Sequence, residues 1–250
     1  SKAYDTVDSA EVFGKSGKAF GRFQKYLSDF PAESLSEIIK NFHNTIWRYE
    51  NEFIPAVQAD KADRAVNCGE EIKFVMHRRE DCKKLVELIE KGELPLRVTH
   101  NDTKLNNVLF DSDSDDAICV IDLDTVMPGL ALYDFGDSIR FGANSCAEDD
   151  DNYDKVELML DYFEAYAKGF LSEAGDALNQ CEIDNLAFSA KLMTFECGMR
   201  FLTDYLNGDT YFKTAYPEHN LVRAKNQFAL VADMERKMEQ MQQIIKNITE

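Results

Sequence analysis

A mainly α-helical fold with a small β-hairpin insert is the fold class that the sequence predicts. Apolar residues recur at helical spacing up to about residue 95 and again from about residue 134. Short β-branched or apolar runs separated by polar turns lie between these parts, which is the pattern of strands. No linker rich in Pro, Gly or Ser interrupts the apolar pattern. We therefore expect a single domain over 1–250 with three parts, 1–95, 96–133 and 134–250.

Three helices are predicted in the first part. Apolar residues at near-helical spacing indicate the first helix over residues 11–28. Ser34 and Glu37 have the spacing of a capping box, which predicts that the second helix begins there and runs toward Pro55. The third helix is expected to cover roughly 64–90, because its apolar residues again repeat on one face.

The middle part predicts strands at 96–99, 107–110 and 117–122. The last two strands are expected to form a hairpin around an acidic turn centred between Ser114 and Asp115. From residue 134 onward the pattern is helical again, with segments at 134–142, 153–172, 182–206 and 220–246.

The composition restricts the classes of partner and compartment. The formal net charge of −18 argues against a nucleic-acid partner and against binding to an anionic membrane surface. A phosphate-bearing substrate remains possible, because one metal ion can invert the local field. The sequence contains no signal peptide and no apolar stretch of about 18 residues. Six cysteines without a C-x-x-C pair favour buried thiols in a reducing compartment, so we expect a cytoplasmic protein.

One local pattern carries chemistry. His100, Asp102 and Asn107 have the spacing H-x-D-x-x-x-x-N, and Asp122 ends an apolar strand fifteen residues after Asn107. Phosphoryl transfer requires a carboxylate that orients the acceptor hydroxyl and oxygen ligands that hold Mg²⁺. In a regular hairpin Asn107 would lie opposite Asp122, a register that a bulge would shift. The pattern therefore predicts the catalytic loop and metal-binding hairpin of a phosphotransferase.

Three other interpretations are weaker. The triplet that begins at Asp134 spells the metal-binding Asp-Phe-Gly of protein kinases, but no strand precedes it, so we expect Asp134 to be a helix cap or a structural anchor. The Gly-Lys-Ser that begins at Gly14 lacks the earlier glycine of a phosphate-binding loop. A metallohydrolase would need clustered histidines, and none of the four histidines are spaced as a pair.

These motifs resemble the aminoglycoside phosphotransferase/choline kinase superfamily, and within it the bacterial N-acetylhexosamine 1-kinases. The similarity extends along nearly the whole chain, and the later blocks are more specific to the sugar kinases than the catalytic loop is. The matching segments are 97–111, 121–129, 134–143, 196–212 and 216–223.

The resemblance implies a role for each matching position of the catalytic part. Asp102 matches the base that takes the proton from the anomeric hydroxyl of the sugar. Lys104 matches a phosphate-binding position. Asn107, Asp122 and Asp124 match the magnesium-binding positions, so the resemblance implies Mg²⁺ as cofactor and ATP as co-substrate.

Further positions match residues outside the reaction itself. Arg200 and Tyr211 match residues that hold the hexosamine substrate. His100 and Asp134 match structural positions near the site, where His100 would orient the loop through hydrogen bonds.

The expected reaction is the ATP-dependent phosphorylation of N-acetylglucosamine or N-acetylgalactosamine to the sugar 1-phosphate. The alternatives are an aminoglycoside or choline kinase, whose cationic acceptors need an acidic or aromatic pocket, and a non-catalytic sugar-binding module.

The chain differs from the family in one large respect. The family has a mainly β N-terminal lobe that holds the nucleotide, whereas the sequence begins with helices. We therefore expect the chain to be the C-terminal lobe, to be inactive by itself, and to self-associate through its exposed lobe surface, with the N-terminal segment and the strand edges as contacts.

Overall fold

The computed structural model describes residues 1–4, 6 and 9–250, which form nine α-helices and four short strands. The helices are α1 (Ala10–Tyr26), α2 (Thr45–Arg48), α3 (Ile54–Ala59), α4 (Gly69–Met76), α5 (Arg79–Glu90), α6 (Ala131–Gly142), α7 (Leu160–Ala174), α8 (Gln180–Leu206) and α9 (His219–Thr249). The strands are β1 (Arg97–Thr99), β2 (Val108–Phe110), β3 (Ala117–Val120) and β4 (Met127–Gly129). This order confirms a mainly helical chain with a small β part in the middle.

The predicted start of the second helix is wrong. That helix begins at Thr45, where the side chain of Asn44 accepts a hydrogen bond from the N–H of Trp47 at 3.0 Å. Ser34 instead lies in a single 3₁₀ turn. The carboxylate of Glu37 accepts the backbone N–H of Asn41, so it does not close a capping box with Ser34. The residues between Ser34 and Asn44 form turns instead of a helix, so capping-box spacing alone did not locate the helix start.

The other helices of the first part are more broken than predicted. Pro55 does not end a helix. It lies at the start of α3, directly after the π-helical segment Tyr49–Phe53 that continues α2 into α3. The helix predicted over 64–90 is two helices, α4 and α5, which are separated at His77 and Arg78. In the last part, α6 begins at Ala131, slightly before the boundary that the apolar pattern predicts.

The β part contains a second strand pair that the sequence did not predict. In addition to the expected β2–β3 hairpin, β1 pairs with β4 in an antiparallel two-stranded sheet, with Val98 opposite Pro128. The hydroxyl of Thr99 donates to the carbonyl of Met127 at 2.8 Å across this pair. The pair brings the chain segments before and after the hairpin together, next to the catalytic loop that follows β1.

The register of the β2–β3 hairpin differs from the prediction by one residue. Leu109 pairs with Cys119 and Phe110 pairs with Ala117, so Ile118 is an extra residue that forms a bulge in β3.

The position of the turn and the bulge together decide which residue lies opposite the predicted metal ligand. The N–H of Asp111 donates to the carbonyl of Asp116 at 2.8 Å, so the turn is centred between Asp113 and Ser114, one residue before the predicted centre, and the extra Ile118 shifts the register back by one residue. The N–H of Ile121 donates to the carbonyl of Asn107 at 2.9 Å, so Asn107 faces Ile121 instead of Asp122. Asp122 follows immediately, with φ of 62° in the left-handed region that Asp tolerates better than most residues. The two predicted ligands therefore remain neighbours, although they are not directly opposite.

The outer edge of β2 is occupied by the N-terminal segment. Lys2 and Phe110 exchange two backbone hydrogen bonds of 2.9 and 2.8 Å, and the ring of Tyr4 packs edge-on against that of Phe110. This edge of β2 is therefore already paired within the described part of the chain, and self-association through the N-terminal segment and the other strand edges stays a prediction. Positions 5, 7 and 8 of the N-terminal segment lie outside the described residues.

α8 lies at the centre of the helical part. It packs against α6 on one side and α9 on another, so residues on nearly all of its faces are buried. Its N-terminus is fixed to the β part, because Arg97 of β1 donates two hydrogen bonds to Glu182 at 2.6 and 2.7 Å. Within the described residues, no helix is long and apolar enough to cross a membrane.

Glycines allow α1 and α7 to approach each other closely. A Cβ on Gly17 would lie 2.5 Å from the carbonyl oxygen of Tyr166, and a Cβ on Gly21 would overlap the carbonyl oxygen of Phe170. A Cβ on Gly169 would in turn overlap the backbone of Gly14. Gly14, the first residue of the Gly-Lys-Ser triplet, is therefore explained by helix packing.

We expect Gly21→Ala to lower the free energy of unfolding by about 1–3 kcal/mol, because the added methyl group forces α1 and α7 apart. Urea unfolding measures the change. Gly175→Ala is the matched control, since a Cβ there meets no atom within 4 Å and the helical φ of −53° suits alanine. The control should be neutral or slightly stabilising. Equal stability of the two variants would contradict the close-packing explanation.

Candidate active site

Asp134 is a buried anchor for the loop that follows β1. Its carboxylate, which is 0% exposed, accepts the backbone N–H groups of His100 at 2.9 Å and Asn101 at 2.8 Å. It also accepts the side-chain N–H of Gln24 at 2.8 Å. Burial raises the pKa of Asp134, and the N–H donors act against this rise. Asp134 lies within α6, where it does not cap the helix. The single side chain joins α1, α6 and the loop.

The same loop is fastened at further points. Thr103 donates its hydroxyl to the carbonyl of Asp134 at 2.6 Å, and Ser138 donates to the carbonyl of Thr103 at 2.8 Å. Asn101 adopts φ of 63° and donates its side-chain amide to the carbonyl of Thr125 at 3.0 Å. These bonds fix the loop to α6 and to the segment after the hairpin, so its backbone has little freedom.

His100 connects the loop to the end of the hairpin. The ring is fully buried, with Phe20 and Phe23 edge-on at 5.5 and 5.9 Å between centroids. Its Nε2 lies 2.9 Å from the carbonyl of Ile121, and its Nδ1 lies 3.3 Å from the N–H of Asp102. A ring that donates from Nε2 and accepts at Nδ1 satisfies both contacts. His100 therefore links the backbone of Asp102 to the residue just before Asp122.

Asp102 is held at both carboxylate oxygens. The Nζ of Lys104 lies 2.8 Å from Oδ1, and the Nδ2 of Asn107 lies 3.1 Å from Oδ2. Burial lowers the pKa of Lys104, but the hydrogen bond and charge of Asp102 outweigh it, so the pKa is raised and the ammonium persists. The carboxylate retains lone pairs that a hydroxyl group can approach.

Asn107 and Asp122 offer oxygen ligands for a metal. Asn107 directs its Nδ2 to Asp102, at 2.8 Å from the carbonyl oxygen, and its Oδ1 accepts no hydrogen bond from the described residues. Asp122 and Asp124 are exposed and have no hydrogen bond or ion pair within that part of the chain. An amide and a carboxylate oxygen next to each other suit Mg²⁺. In residues 1–4, 6 and 9–250, no three His, Cys, Asp or Glu side chains are grouped as a metal site.

A cavity of about 350 Å³ opens beside Asp102. We call it the Asp102 cavity. The catalytic loop contributes Asp102 and Lys104, α8 contributes Arg200, and the segment before α2 contributes His43. Its volume lies in the range that is typical of sites for small molecules. The predicted base, the predicted phosphate-binding lysine and one predicted substrate residue therefore share one cavity.

The other acidic side chains of the cavity wall already have partners. Arg140 binds Asp137 at 2.9 Å and Glu148 at 2.7 Å. Burial acts to raise the pKa of Asp137, but the charge and hydrogen bond of Arg140 outweigh it and hold the pKa below its ordinary value. Glu196 is fully buried and lies 2.8 Å from the Nδ1 of His43. Each carboxylate of the wall therefore has a partner, and that of Asp102 is paired with the Lys104 ammonium.

Arg200 lies where two cavities meet. Its guanidinium is 5.2 Å from the ring centroid of Phe42, 5.9 Å from that of Tyr211 and 5.5 Å from that of Phe212. It has no hydrogen bond or ion pair with the described residues. Tyr211 does not line the Asp102 cavity. It is 69% exposed and borders a second cavity of about 510 Å³, which Arg200 also lines. Tyr211 and Asp102 therefore line neighbouring cavities that share Arg200 and Phe212.

Asp204 positions the loop that carries Tyr211. Its carboxylate accepts the backbone N–H groups of Thr210, Tyr211 and Phe212, each at 2.9 Å, and the side-chain amide of Asn220 at 2.9 Å. The loop thus folds around one buried side chain at the end of α8. Sequence reasoning did not identify Asp204, because nothing local distinguishes it from an exposed helical aspartate.

Sequence reasoning also missed His43, Glu196, Asp137 and Arg140 as parts of the cavity wall. His43 and its partner Glu196 are far apart in the sequence, whereas Asp137 and Arg140 are neighbours on one face of α6. The signals in the sequence were the matching blocks at 134–143, which contains Asp137 and Arg140, and at 196–212, which begins at Glu196.

We expect Asp134→Asn to lower the free energy of unfolding by about 3 kcal/mol, because an amide cannot accept all the N–H groups that the carboxylate accepts. Urea unfolding measures the loss, and amide hydrogen exchange at His100 and Asn101 should become faster. Asp29→Asn, at an exposed position without a hydrogen bond in the described part, is the control. Unchanged protection of the two amides would show that Asp134 does not anchor the loop.

Two comparisons bear on the family. The fold resembles that of the solved ethanolamine kinase of Plasmodium vivax, with a TM-score of 0.53 and 15% identity. The match covers 91% of this chain and 62% of the ethanolamine kinase, so the chain spans less than two thirds of that protein's length. Residues 2–169 match the model of the phosphotransferase enzyme family. This stretch contains the β part, the anchored loop and Asp102 with its partners. The chain therefore belongs to the phosphotransferase enzyme family.

Proposed function

We propose that this chain supplies the acceptor-binding part of a small-molecule kinase that transfers the γ-phosphoryl group of ATP to the anomeric hydroxyl of an N-acetylhexosamine. In this proposal Asp102 orients the hydroxyl and takes its proton as the oxygen attacks phosphorus. Lys104 neutralises charge on the transferred phosphoryl group. Both side chains lie within hydrogen-bond reach of one another and face the same cavity.

The observation that carries the proposal is that Asp102, Lys104 and Arg200 line one cavity of about 350 Å³. A sugar in this cavity has a carboxylate at one side and an unpaired guanidinium at another. Sugar hydroxyls and an acetamido carbonyl accept hydrogen bonds from a guanidinium, which has five N–H donors and no acceptor. The aromatic rings around Arg200 hold its side chain without using those donors.

The charges of the cavity support a neutral acceptor over a cationic one. An aminoglycoside, choline or ethanolamine would need unpaired carboxylates or an aromatic cage without a competing cation. Asp137, Glu148 and Glu196 are instead committed to Arg140 and His43. Arg200 itself occupies the aromatic surroundings that a quaternary ammonium group would use. The whole chain has a net charge of −18, but this cavity lacks the free carboxylates and the open aromatic cage that a cationic acceptor would need.

We propose Mg²⁺ as the cofactor. Asn107 and Asp122 would hold it through oxygen ligands, and the ion would neutralise the phosphates of ATP. Asp124 is assigned to the same region because it is exposed and unpaired in the described part of the chain.

We further propose that the adenine and most of the triphosphate are held outside the described residues. Support comes from the strands, since each sheet in the described residues has two strands, whereas the nucleotide lobe expected for this fold is mainly β. Acceptor binding and nucleotide binding should therefore be separable in this chain.

Calorimetry on the 250-residue chain tests these proposals together. We expect N-acetylglucosamine or N-acetylgalactosamine to bind, choline and an aminoglycoside to bind more weakly, and Mg-ATP to give little heat. Arg200→Ala should weaken sugar binding by about tenfold or more, because buried hydrogen bonds to a charged group are lost. Arg236→Ala is the control, since that side chain is 67% exposed and lies far along α9.

The other outcomes separate the alternatives. Preferential binding of choline or an aminoglycoside would overturn the sugar proposal in favour of a cation kinase. A second outcome is sugar binding without product formation when ATP and Mg²⁺ are supplied to a form of the protein that also binds the nucleotide. That outcome would indicate a non-catalytic sugar-binding module. Tight binding of Mg-ATP to the chain would overturn the proposal that the nucleotide is held elsewhere.

A further inference from the structure

His43 is a buried histidine in the wall of the Asp102 cavity that the reaction described above does not use. It lies in the segment before α2 and lines the cavity together with Asp102 and Lys104. Its side chain is 6% exposed. Polar side chains that are this deeply buried are nearly always hydrogen-bonded, so both ring nitrogens need an explanation.

One nitrogen is fully accounted for. The Nδ1 of His43 lies 2.8 Å from Glu196 Oε1, and the hydroxyl of Thr45 donates to Glu196 Oε2 at 2.5 Å. A carboxylate only accepts hydrogen bonds, so Nδ1 must carry the proton. In the neutral ring, Nε2 is then an acceptor.

The second nitrogen has no partner. The Nε2 of His43 is buried and makes no hydrogen bond with the described residues. The faces of the ring are occupied, since the centroids of Phe42 and Tyr133 lie 4.3 and 5.0 Å away. The ring therefore cannot turn to find another partner without breaking its bond to Glu196. An acceptor held in this way is destabilising unless something supplies a donor.

A second orphaned nitrogen lines the same cavity. The Nε of Arg223 is buried without a hydrogen bond to the described residues, and its nearest charged partner is Glu148 Oε2 at 3.9 Å, beyond hydrogen-bond distance. The Nη1 of Arg223 donates to the carbonyl of Lys213 at 3.2 Å. The wall thus presents one unsatisfied acceptor, at His43, and one unsatisfied donor, at Arg223. An apolar ligand would leave both unsatisfied. A ligand with hydroxyl or acetamido groups can satisfy both, because such groups donate as well as accept.

From this arrangement we propose that His43 is a specificity-determining residue whose Nε2 accepts a hydrogen bond from an O–H or N–H group of the acceptor substrate. The inference rests on the proposed function, since it concerns the ligand of the same cavity. Glu196 and Thr45 are positioning residues that hold the ring and fix its tautomer. His43 then discriminates against an acceptor that lacks the donor group, because that acceptor leaves Nε2 buried and unpaired.

Calorimetry with N-acetylglucosamine and a panel of its analogues tests the proposal. In each analogue one hydroxyl is replaced by hydrogen, or the acetamido group is replaced by hydrogen. The wild-type chain should bind one analogue roughly tenfold to a hundredfold more weakly than the parent sugar. In His43→Asn this ratio should fall to near one, because the shorter amide can still donate to Glu196 but cannot reach the position of Nε2.

Two further variants test whether the effect is specific to the hydrogen bond at Nε2 of His43. His43→Gln, whose longer amide reaches toward the position of Nε2, should restore part of the discrimination. His77→Asn replaces an exposed histidine between α4 and α5 and should leave the ratio unchanged. Thermal unfolding of each variant reports whether the Glu196 bond and the fold are retained.

The outcomes distinguish this inference from the proposed function. If the wild-type chain binds none of the sugars, the proposed function fails and the inference fails with it. If it binds them but His43→Asn and His43→Gln discriminate as the wild type does, the inference alone is overturned, and His43 is a structural partner of Glu196. Loss of the ratio in His43→Asn with partial recovery in His43→Gln supports the inference.

Discussion

The buried carboxylate of Asp134 is the constraint on which the rest of the site depends. It accepts two consecutive backbone N–H groups, of His100 and Asn101, and a side-chain N–H of Gln24. A buried charge of this kind is tolerable only when its donors are in place, so the loop conformation and the ionised carboxylate stabilise each other. The conformation of this loop then determines where Asp102 lies. An Asp-Phe-Gly triplet that resembles a metal site in the sequence is therefore a structural anchor in the fold.

The anchored loop carries the other functional groups through short connections. His100 connects Asp102 to Ile121 at the end of the hairpin, and Asn107 connects Asp102 to the start of β2. Hydrogen bonds therefore connect the predicted base to Asn107 and to the residue just before Asp122. The opposite wall of the cavity comes from α8 and from the segment before α2, where His43 is paired with Glu196 and Arg200 has no polar partner among the described residues. The acidic composition of the chain has little bearing on the cavity, because the acidic groups there are neutralised locally.

The parts of the site that depend on sequence-local spacing could be predicted, and the parts that depend on long-range packing could not. Asp102 and Asn107 lie in one short loop, so their spacing was informative. The relation of Asn107 to Asp122 was predicted one residue out of register, because the turn is centred one residue earlier than predicted and the bulge at Ile118 recovers only one of the two positions lost. His43 was not predicted, since its role depends on Glu196 in a distant helix.

The fold shows the same division. The helical parts follow from apolar periodicity, but the N-cap of α2 is Asn44 and not Ser34, which has the same capping chemistry. Strand β1 lies within the predicted strand 96–99, but its partner β4 is three residues long and was not predicted, so their pairing could not be anticipated. Tyr211 matched a substrate-holding position, yet its loop is folded around Asp204 and faces a separate cavity. Loop geometry of this kind is set by a single buried side chain and not by local propensity.

The central claim is that the Asp102 cavity orients the hydroxyl that is to be phosphorylated. A crystal structure of the chain with N-acetylglucosamine tests this most directly. The account predicts that the sugar occupies the Asp102 cavity with its anomeric oxygen within about 3.2 Å of the Asp102 carboxylate. A sugar bound with that oxygen away from Asp102, or bound only in the cavity beside Tyr211, would contradict the account.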